Sequence, residues 1–232
     1  MIIYDILHND LGKNGPKVTM KKFKITFLLD KNNLWIERQL NKYNFKLKHK
    51  YKFKISKNYK KVKKQDIVFP LSYTKILPKQ FLKINKLVLI THCSKLPKDR
   101  GFAPVQYQIL KNRNKIFLSL IKATNKVDVG PIYIQKYFQL DGTELNSEIR
   151  YKQGLAILKI IKSFLIRYPK VNFKKQLGKS NFNKRRYPKD SELNIDKTIK
   201  KQFNHLRIND NEFYPSFFYY KKKKYIIKIY KE

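Results

Sequence analysis

The sequence predicts an open α/β fold built on a mainly parallel sheet. Three observations carry this reading. Short apolar runs of strand length alternate with stretches whose apolar residues recur at helical spacing. The densest group of chemistry-bearing residues, 92–101, directly follows one of the predicted strands, where an open α/β sheet presents its ligands. The chain of 232 residues also holds 33 Phe, Tyr and Trp and is 42% hydrophobic, ample material for a core, which excludes a disordered basic tail.

The elements follow in order. Residues 1–19 show no clear period and contain Gly12, Gly15 and Pro16, so they read as an N-terminal extension, with Met20 a candidate native start. Lys24 to Leu29 is a short apolar strand, and Leu34, Trp35, Leu40 and Tyr43 form the helical stripe that would cover it. Strands are expected at Asp66 to Leu71 and Leu87 to Thr91, with a short helical or turn segment, Lys75 to Leu82, between them. Pro104 suits the first turn of a helix through Gln106, Tyr107, Ile109 and Leu110. Ile116 to Lys122 and Pro131 to Phe138 read as two further strands. Thr143-Glu144 then opens a long amphipathic helix to about Tyr168, with Leu145, Ile149, Leu155, Leu158, Ile161 and Leu165 on its apolar face.

After Pro169 the character changes. Residues 176–180 and 185–188 look irregular, Ser191 or Asn194 is placed to cap a helix containing Ile195, Ile199, Phe203 and Leu206, and Ser216 to Tyr220 with Tyr225 to Tyr230 reads as a β-hairpin around a Lys-rich turn. The expected organisation is therefore a sheet domain over 20–169 and a small α+β appendage over 170–232. No internal repeat is evident.

The formal charge of +38 would ordinarily point to nucleic acid. The basic residues, however, are 46 Lys and only 8 Arg, in a chain also rich in Asn, Ile, Phe and Tyr, the pattern of an A+T-biased genome. Arg, the bidentate reader of phosphate and guanine, is not enriched. The lysines are dispersed among apolar residues, as in Tyr51 to Lys54 and Lys221 to Lys224, so a solvated Lys-rich face ranks above a nucleic-acid site. The longest aliphatic run, Leu87 to Ile90, is far below the roughly 20 residues of a membrane span, and Asp5 and Asp10 interrupt any secretory h-region. The chain reads as cytoplasmic, without a membrane partner. One cysteine, Cys93, and four histidines form no group with metal-ligand spacing, so no metal is expected.

Gly-rich phosphate cradles are absent from the sequence. The constellation His92-Cys-Ser-Lys-Leu-Pro-Lys-Asp-Arg-Gly101 and the run Val127-Asp128-Val129-Gly130-Pro131-Ile132 stand beside predicted strands, so one His and one Asp on adjoining loops could form an oriented acid/base pair. On spacing alone a structural histidine and an Asx-type turn at Asp128 are equally admissible.

Three runs together are more specific. Ser72-Tyr73-Thr74-Lys75-Ile76-Leu77, then His92-x-Ser94-x-Leu96-Pro97-x-x-Arg100-Gly101-x-x-Pro104, then Val127-Asp128-x-Gly130-x-Ile132-x-x-Gln135 resemble the folate-dependent formyltransferases over about residues 20–165. The resemblance implies a Rossmann-like sheet, N10-formyltetrahydrofolate as co-substrate, His92 and Asp128 as catalytic residues, and a largely main-chain pterin site lined by Ser72, Tyr73, Ile76, Leu77, Val127 and Gly130. Arg100, Gln106, Arg185 and Arg186 are the substrate-side candidates, and Arg207 is a further diphosphate or carboxylate candidate.

The downstream run Phe182-x-x-Arg185-Arg186-x-Pro188-x-Asp190-Ser191-Glu192-Leu193, followed by Phe203-Asn204-x-Leu206-Arg207 and Tyr214-Pro215-Ser216-Phe217-Phe218, looks most like the sugar N-formyltransferase branch. That implies a nucleotide-linked amino sugar as acceptor and a place in surface polysaccharide biosynthesis. The 63 residues after Pro169 are fewer than the RNA-binding barrel of the methionyl-tRNA enzymes needs. The alternatives are a methionyl-tRNA or other small-amine formyltransferase, and a basic RNA-binding protein on the same fold; a homodimer is left open. One departure stands out. The family's asparagine two residues before the histidine is Ile90 here, and Ile cannot donate to an oxyanion, a loss worth about 2.7–4 kcal/mol. Asn125 and the Thr91 hydroxyl are the candidate substitutes.

Overall fold

The computed structural model describes residues 22–31 and 33–232; the readings made for residues 1–19 and for Met20 lie outside the described residues. In chain order the first elements are β1 (Phe23–Leu29), α1 (Leu34–Lys42), β2 (Tyr51–Ser56), β3 (Ile67–Leu71), α2 (Lys79–Ile84) and β4 (Leu87–His92). Then come β5 (Arg100–Gly101), α3 (Pro104–Leu110), β6 (Lys115–Lys122), β7 (Ile132–Gln139), α4 (Asn146–Arg167), β8 (Phe182–Asn183), α5 (Ile199–Ile208), β9 (Ser216–Tyr220) and β10 (Lys223–Ile227).

Six strands form the central sheet in the order β2-β1-β3-β4-β6-β7. The first four run parallel, and β6 and β7 add two antiparallel pairings. The sheet is thus Rossmann-like, open and mainly parallel. Its inner strands are buried on both faces, as parallel sheets require: every residue of β3 is buried. On one face Ile25, Phe27, Leu29, Phe69 and Leu89 pack with Ile36 of α1, Ile109 of α3 and the Ile157–Leu165 stripe of α4. On the other, Leu28, Val68 and Val88 pack with Val62 and Phe81 of α2.

Strand β2 was not expected. Its residues alternate, Tyr51 and Phe53 toward the core and Lys52 and Lys54 toward solvent. Lysines on the outer face of an edge strand discourage pairing with other chains, so the pattern that looked like scattered lysine is a protected edge.

Two other boundaries differ from expectation. Helix α4 begins at Asn146 because Thr143 and Glu144 form the turn before it: the Glu144 carboxylate accepts the N–H groups of Asp141 and Gly142, and Asp141 accepts from Thr143. Helix α5 begins at Ile199 under a Thr198 cap, not under Ser191 or Asn194. Ser191 closes a 3-10 turn, Pro188–Ser191, and the Asn194 side chain is spent on the N–H of Asp196. β9 and β10 form the terminal hairpin.

The sheet splays where the site lies. β3 and β4 pair only through Ile67↔Leu87 and Val68↔Val88. Beyond Val68 the strands part, with Pro70, which has no N–H to offer a ladder, just past the last pair. From Leu89 onward β4 pairs instead with β6. β3 and β4 therefore part at their carboxyl ends, the place where such sheets bind ligands.

Candidate active site

His92 is the last residue of β4 and 7% exposed. Its Nδ1 lies 3.4 Å from Asp128 Oδ1, and its Nε2 lies 2.8 Å from the backbone carbonyl of Asp99. A carbonyl only accepts, so Nε2 carries the proton on that side, and Nδ1 faces Asp128, with which it forms an ion pair when the ring is protonated. The second carboxylate oxygen, Oδ2, accepts the N–H of Gly101 at 2.9 Å. The carboxylate is thus oriented by the 92–101 loop itself.

That loop is held at several points. The Ser94 hydroxyl donates to the Lys98 carbonyl, Ser119 donates to the Ser94 carbonyl, and Gln135 donates to the Leu96 carbonyl. Gln108 donates to the Cys93 carbonyl and accepts from the N–H of Phe117. Gln106 sits half-buried two residues earlier, in the first turn of α3. Cys93 is buried, which pushes its thiol up to about 12, while a Gln153 contact opposes the shift. A thiol held so firmly protonated is no nucleophile.

Two glycines admit close approaches that any side chain would block. Gly101 has φ +89°, and a Cβ there would come within 2.6 Å of the Asn183 carbonyl. At Gly130 a Cβ would stand 1.7 Å from the Lys122 carbonyl. Asp128 itself adopts φ +54°, which Asp tolerates better than most residues.

Gln176, in chain read from sequence only as irregular, joins these parts. Its side-chain amide donates to the carbonyls of Asp128 and Gly130, each at 2.8 Å, and its Oε1 accepts from Arg100 Nη2 at 2.8 Å. Arg100 is thereby tied to the Asp128 loop, and its Nε is buried without a hydrogen-bond partner. Nothing in the sequence around Gln176 marks it, because its partners are backbone carbonyls about 46 to 48 positions away.

The other residues expected to line a pterin site stand on two loops, one after β3 and one after β6. Ser72 has φ +48°, and its carbonyl accepts from Asn33. The next turn is pinned where Asp30 accepts both the N–H and the hydroxyl of Thr74. Tyr73 and Leu77 pack on the Leu28 cluster together with Ala123, at the start of the loop leading to Asp128. Ile76 is 82% exposed and Val127 is 53% exposed, so apolar side chains stand open on both loops.

The arginines separate. Arg185 is exposed, lying over the rings of Phe102 and Tyr187. Arg186 donates to the Asp190 carbonyl and faces Asn209, and burial holds its guanidinium below the usual range. Arg207 is 1% exposed, paired with Glu144 at 3.6 Å and hydrogen-bonded to Asn204 and Asn114. It is therefore a structural ion-pair partner and cannot meet a diphosphate. Of the candidate substitutes for the missing asparagine, Thr91 lies one residue from His92 along β4 and so points to the opposite face. Asn125 is exposed in the loop before Asp128. Ile90 packs with Leu96, Ile121 and Ile132.

Among the described residues no helix is long and apolar enough to cross a membrane, and no three His, Cys, Asp or Glu side chains group as metal ligands.

Comparison with known proteins agrees with this fold. The chain is 28% identical over 197 residues to the bifunctional polymyxin resistance protein ArnA of Wigglesworthia glossinidia brevipalpis, covering 78% of this chain and 30% of that protein. It spans about a third of the length of the curated relatives it matches. A methionyl-tRNA formyltransferase structure from Clostridium thermocellum superposes with a TM-score of 0.76 at 24% identity, over 87% of this chain and 90% of that one. A 4-N formyltransferase from Francisella tularensis does so with a TM-score of 0.67 at 20% identity, over 90% and 98%. The profile described as "Formyl transferase" matches residues 15–155, which contain β1 to β7, His92 and Asp128, and the chain belongs to that family.

Proposed function

We propose that this protein transfers a formyl group from N10-formyltetrahydrofolate to the amine of a nucleotide-linked amino sugar. The observation that carries the reading is the pairing of His92 Nδ1 with Asp128 Oδ1 at 3.4 Å, at the carboxyl end of β4. The acceptor amine attacks the formyl carbon; a C–N bond forms to the acceptor and the bond from carbon to folate N10 breaks. The amine proton passes to Nδ1, where the Asp128 carboxylate stabilises the imidazolium, and then to the departing N10. The open apolar side chains Ile76 and Val127 suit the face of a pterin, and the left-handed backbone at Ser72 suits main-chain recognition.

A sugar acceptor is supported by the downstream run from Phe182 to Phe218, and by the near full-length superposition on the 4-N formyltransferase. The second reading, methionyl-tRNA as acceptor, is favoured by the charge of +38 and by the higher TM-score of the methionyl-tRNA enzyme. Incubation with N10-formyltetrahydrofolate and a panel of nucleotide-linked amino sugars, with methionyl-tRNA in parallel, decides between them. Formylated sugar with unmodified tRNA is the expected result. Formylated tRNA alone would replace the first reading by the second.

A further inference from the structure

Asp99 is a buried carboxylate that the proposed transfer does not use. It is 3% exposed, lies at φ +56°, and stands between His92 and Gly101 in the loop that follows β4. Its side chain is enclosed by three groups. Lys111 Nζ lies 2.6 Å and Asn181 Nδ2 3.1 Å from Oδ1, and Arg113 lies 3.3 Å from Oδ2. Its N–H donates to Asn181 Oδ1 at 2.9 Å. The backbone carbonyl that remains is the acceptor for His92 Nε2.

A carbonyl on a free loop would swing and let the imidazole rotate or change tautomer. Here the carbonyl belongs to a residue gripped from α3, from the chain after it and from the segment before β8. Two cations on one buried carboxylate make strong, charge-assisted contacts, so the grip persists where a neutral loop would relax. We propose that Asp99 is a positioning residue: the cage of Lys111, Arg113 and Asn181 fixes its carbonyl, and that carbonyl holds His92 with Nε2 protonated and Nδ1 turned toward Asp128. The catalytic consequence rests on the formyl-transfer reading; the tautomer itself does not.

The test uses the full chain labelled with ¹⁵N in its histidine rings, with His92 assigned by the loss of its signals in His92→Gln. Asp99→Gly keeps the left-handed backbone and the carbonyl but removes the cage; Asp99→Asn retains acceptor and donor capacity without the charge. In the wild type, His92 is expected to show a protonated Nε2 whose signal is distinct from that of Nδ1. In Asp99→Gly the two signals should move toward the averaged positions of exchanging tautomers. Its kcat should fall about tenfold or more with KM within about twofold, by analogy with the loss of other groups that orient a catalytic histidine. Asp99→Asn should recover part of both. If Asp99→Gly fails to fold, the double variant Lys111→Met/Arg113→Met, which alters exposed side chains, is expected to give the same movement. A folded variant that keeps the wild-type nitrogen signals and kcat overturns the proposal. Should the wild type formylate no acceptor, the formyl-transfer reading falls while the nitrogen signals still judge the role of Asp99.

Discussion

His92 Nδ1 and Asp128 Oδ1 lie 3.4 Å apart although 36 positions separate them in the chain. Each is held from the far side by the same loop, His92 by the Asp99 carbonyl and Asp128 by the Gly101 N–H. His92→Ala and Asp128→Asn should therefore each lower kcat by about 10² to 10⁴. Circular dichroism and melting of both variants should stay close to wild type. Near-normal turnover in either folded variant would assign that residue to structure alone.

The backbone around Asp128 gives a second prediction. A methyl at Gly130 would meet the Lys122 carbonyl at 1.7 Å, so Gly130→Ala must displace the loop that carries Asp128. Overpacking of this kind costs about 1–3 kcal/mol. Both a lowered melting temperature and a loss of formyl transfer are expected, measured on one preparation. A variant that is destabilised yet fully active would separate the glycine from the site.

Much of this was legible in the sequence, and the exceptions share a cause. β1, β3, β4, β6 and β7 announce themselves as short apolar runs, and α4 by its stripe, because burial demands those patterns locally. The edge strand β2 is apolar on one face only, so its Lys52 and Lys54 concealed it. Motif residues brought His92 and Asp128 forward, but no local pattern marks Gln176 or Asp99, whose roles depend on backbone carbonyls. Arg207 looked like a phosphate ligand because a sequence shows a charge and not its partner; Glu144 supplies that partner inside the protein.

Ile90 leads to a third prediction. It packs with Leu96, Ile121 and Ile132 on the strand that carries His92, where the family places a hydrogen-bond donor. Ile90→Asn should raise kcat, toward the factor of about 10² to 10³ that one oxyanion donor supplies. It should also lower stability by about 1–3 kcal/mol, since an amide replaces a partly buried hydrocarbon packed on Leu96, Ile121 and Ile132. Unchanged or reduced kcat in a folded variant would mean that another group already stabilises the oxyanion.

Acid should unfold the protein through two buried carboxylates. Burial alone would raise Asp99, but the hydrogen bonds from Lys111 and Asn181 and the charges of Lys111 and Arg113 hold it below its ordinary value. Burial likewise opposes Glu144, which Lys152 and the backbone N–H groups of its turn hold low. Each pKa is lower folded than unfolded, so each contributes stability that is complete above the unfolded value, about 4, and is lost as pH falls through the folded one. Melting temperature should therefore be flat near neutrality and fall below about pH 4. Lys111→Met should shrink the share of that fall due to Asp99, and an unaltered profile would remove Asp99 from the account.

The charge of +38 is the last test, because it is the feature most open to a nucleic-acid reading. The lysines sit on separate surfaces: Lys52 and Lys54 line the outer side of β2, at one edge of the sheet, while Lys221 to Lys224 form the tip of the β9–β10 hairpin. Dispersed lysines release counterions wherever a phosphate backbone touches, without a fixed register. RNA binding is therefore expected to be weak and steeply dependent on salt, with dissociation constants near 10⁻⁴ to about 10⁻⁶ M at physiological ionic strength. A salt titration by fluorescence anisotropy, with initiator tRNA and an unrelated RNA of equal length, measures this directly. Equal affinities that vanish together as salt rises would leave the charge as a solvated surface. Sub-micromolar preference for the tRNA at about 150 mM salt, beyond the non-specific range, would make the lysines a binding face and move the acceptor from sugar to tRNA.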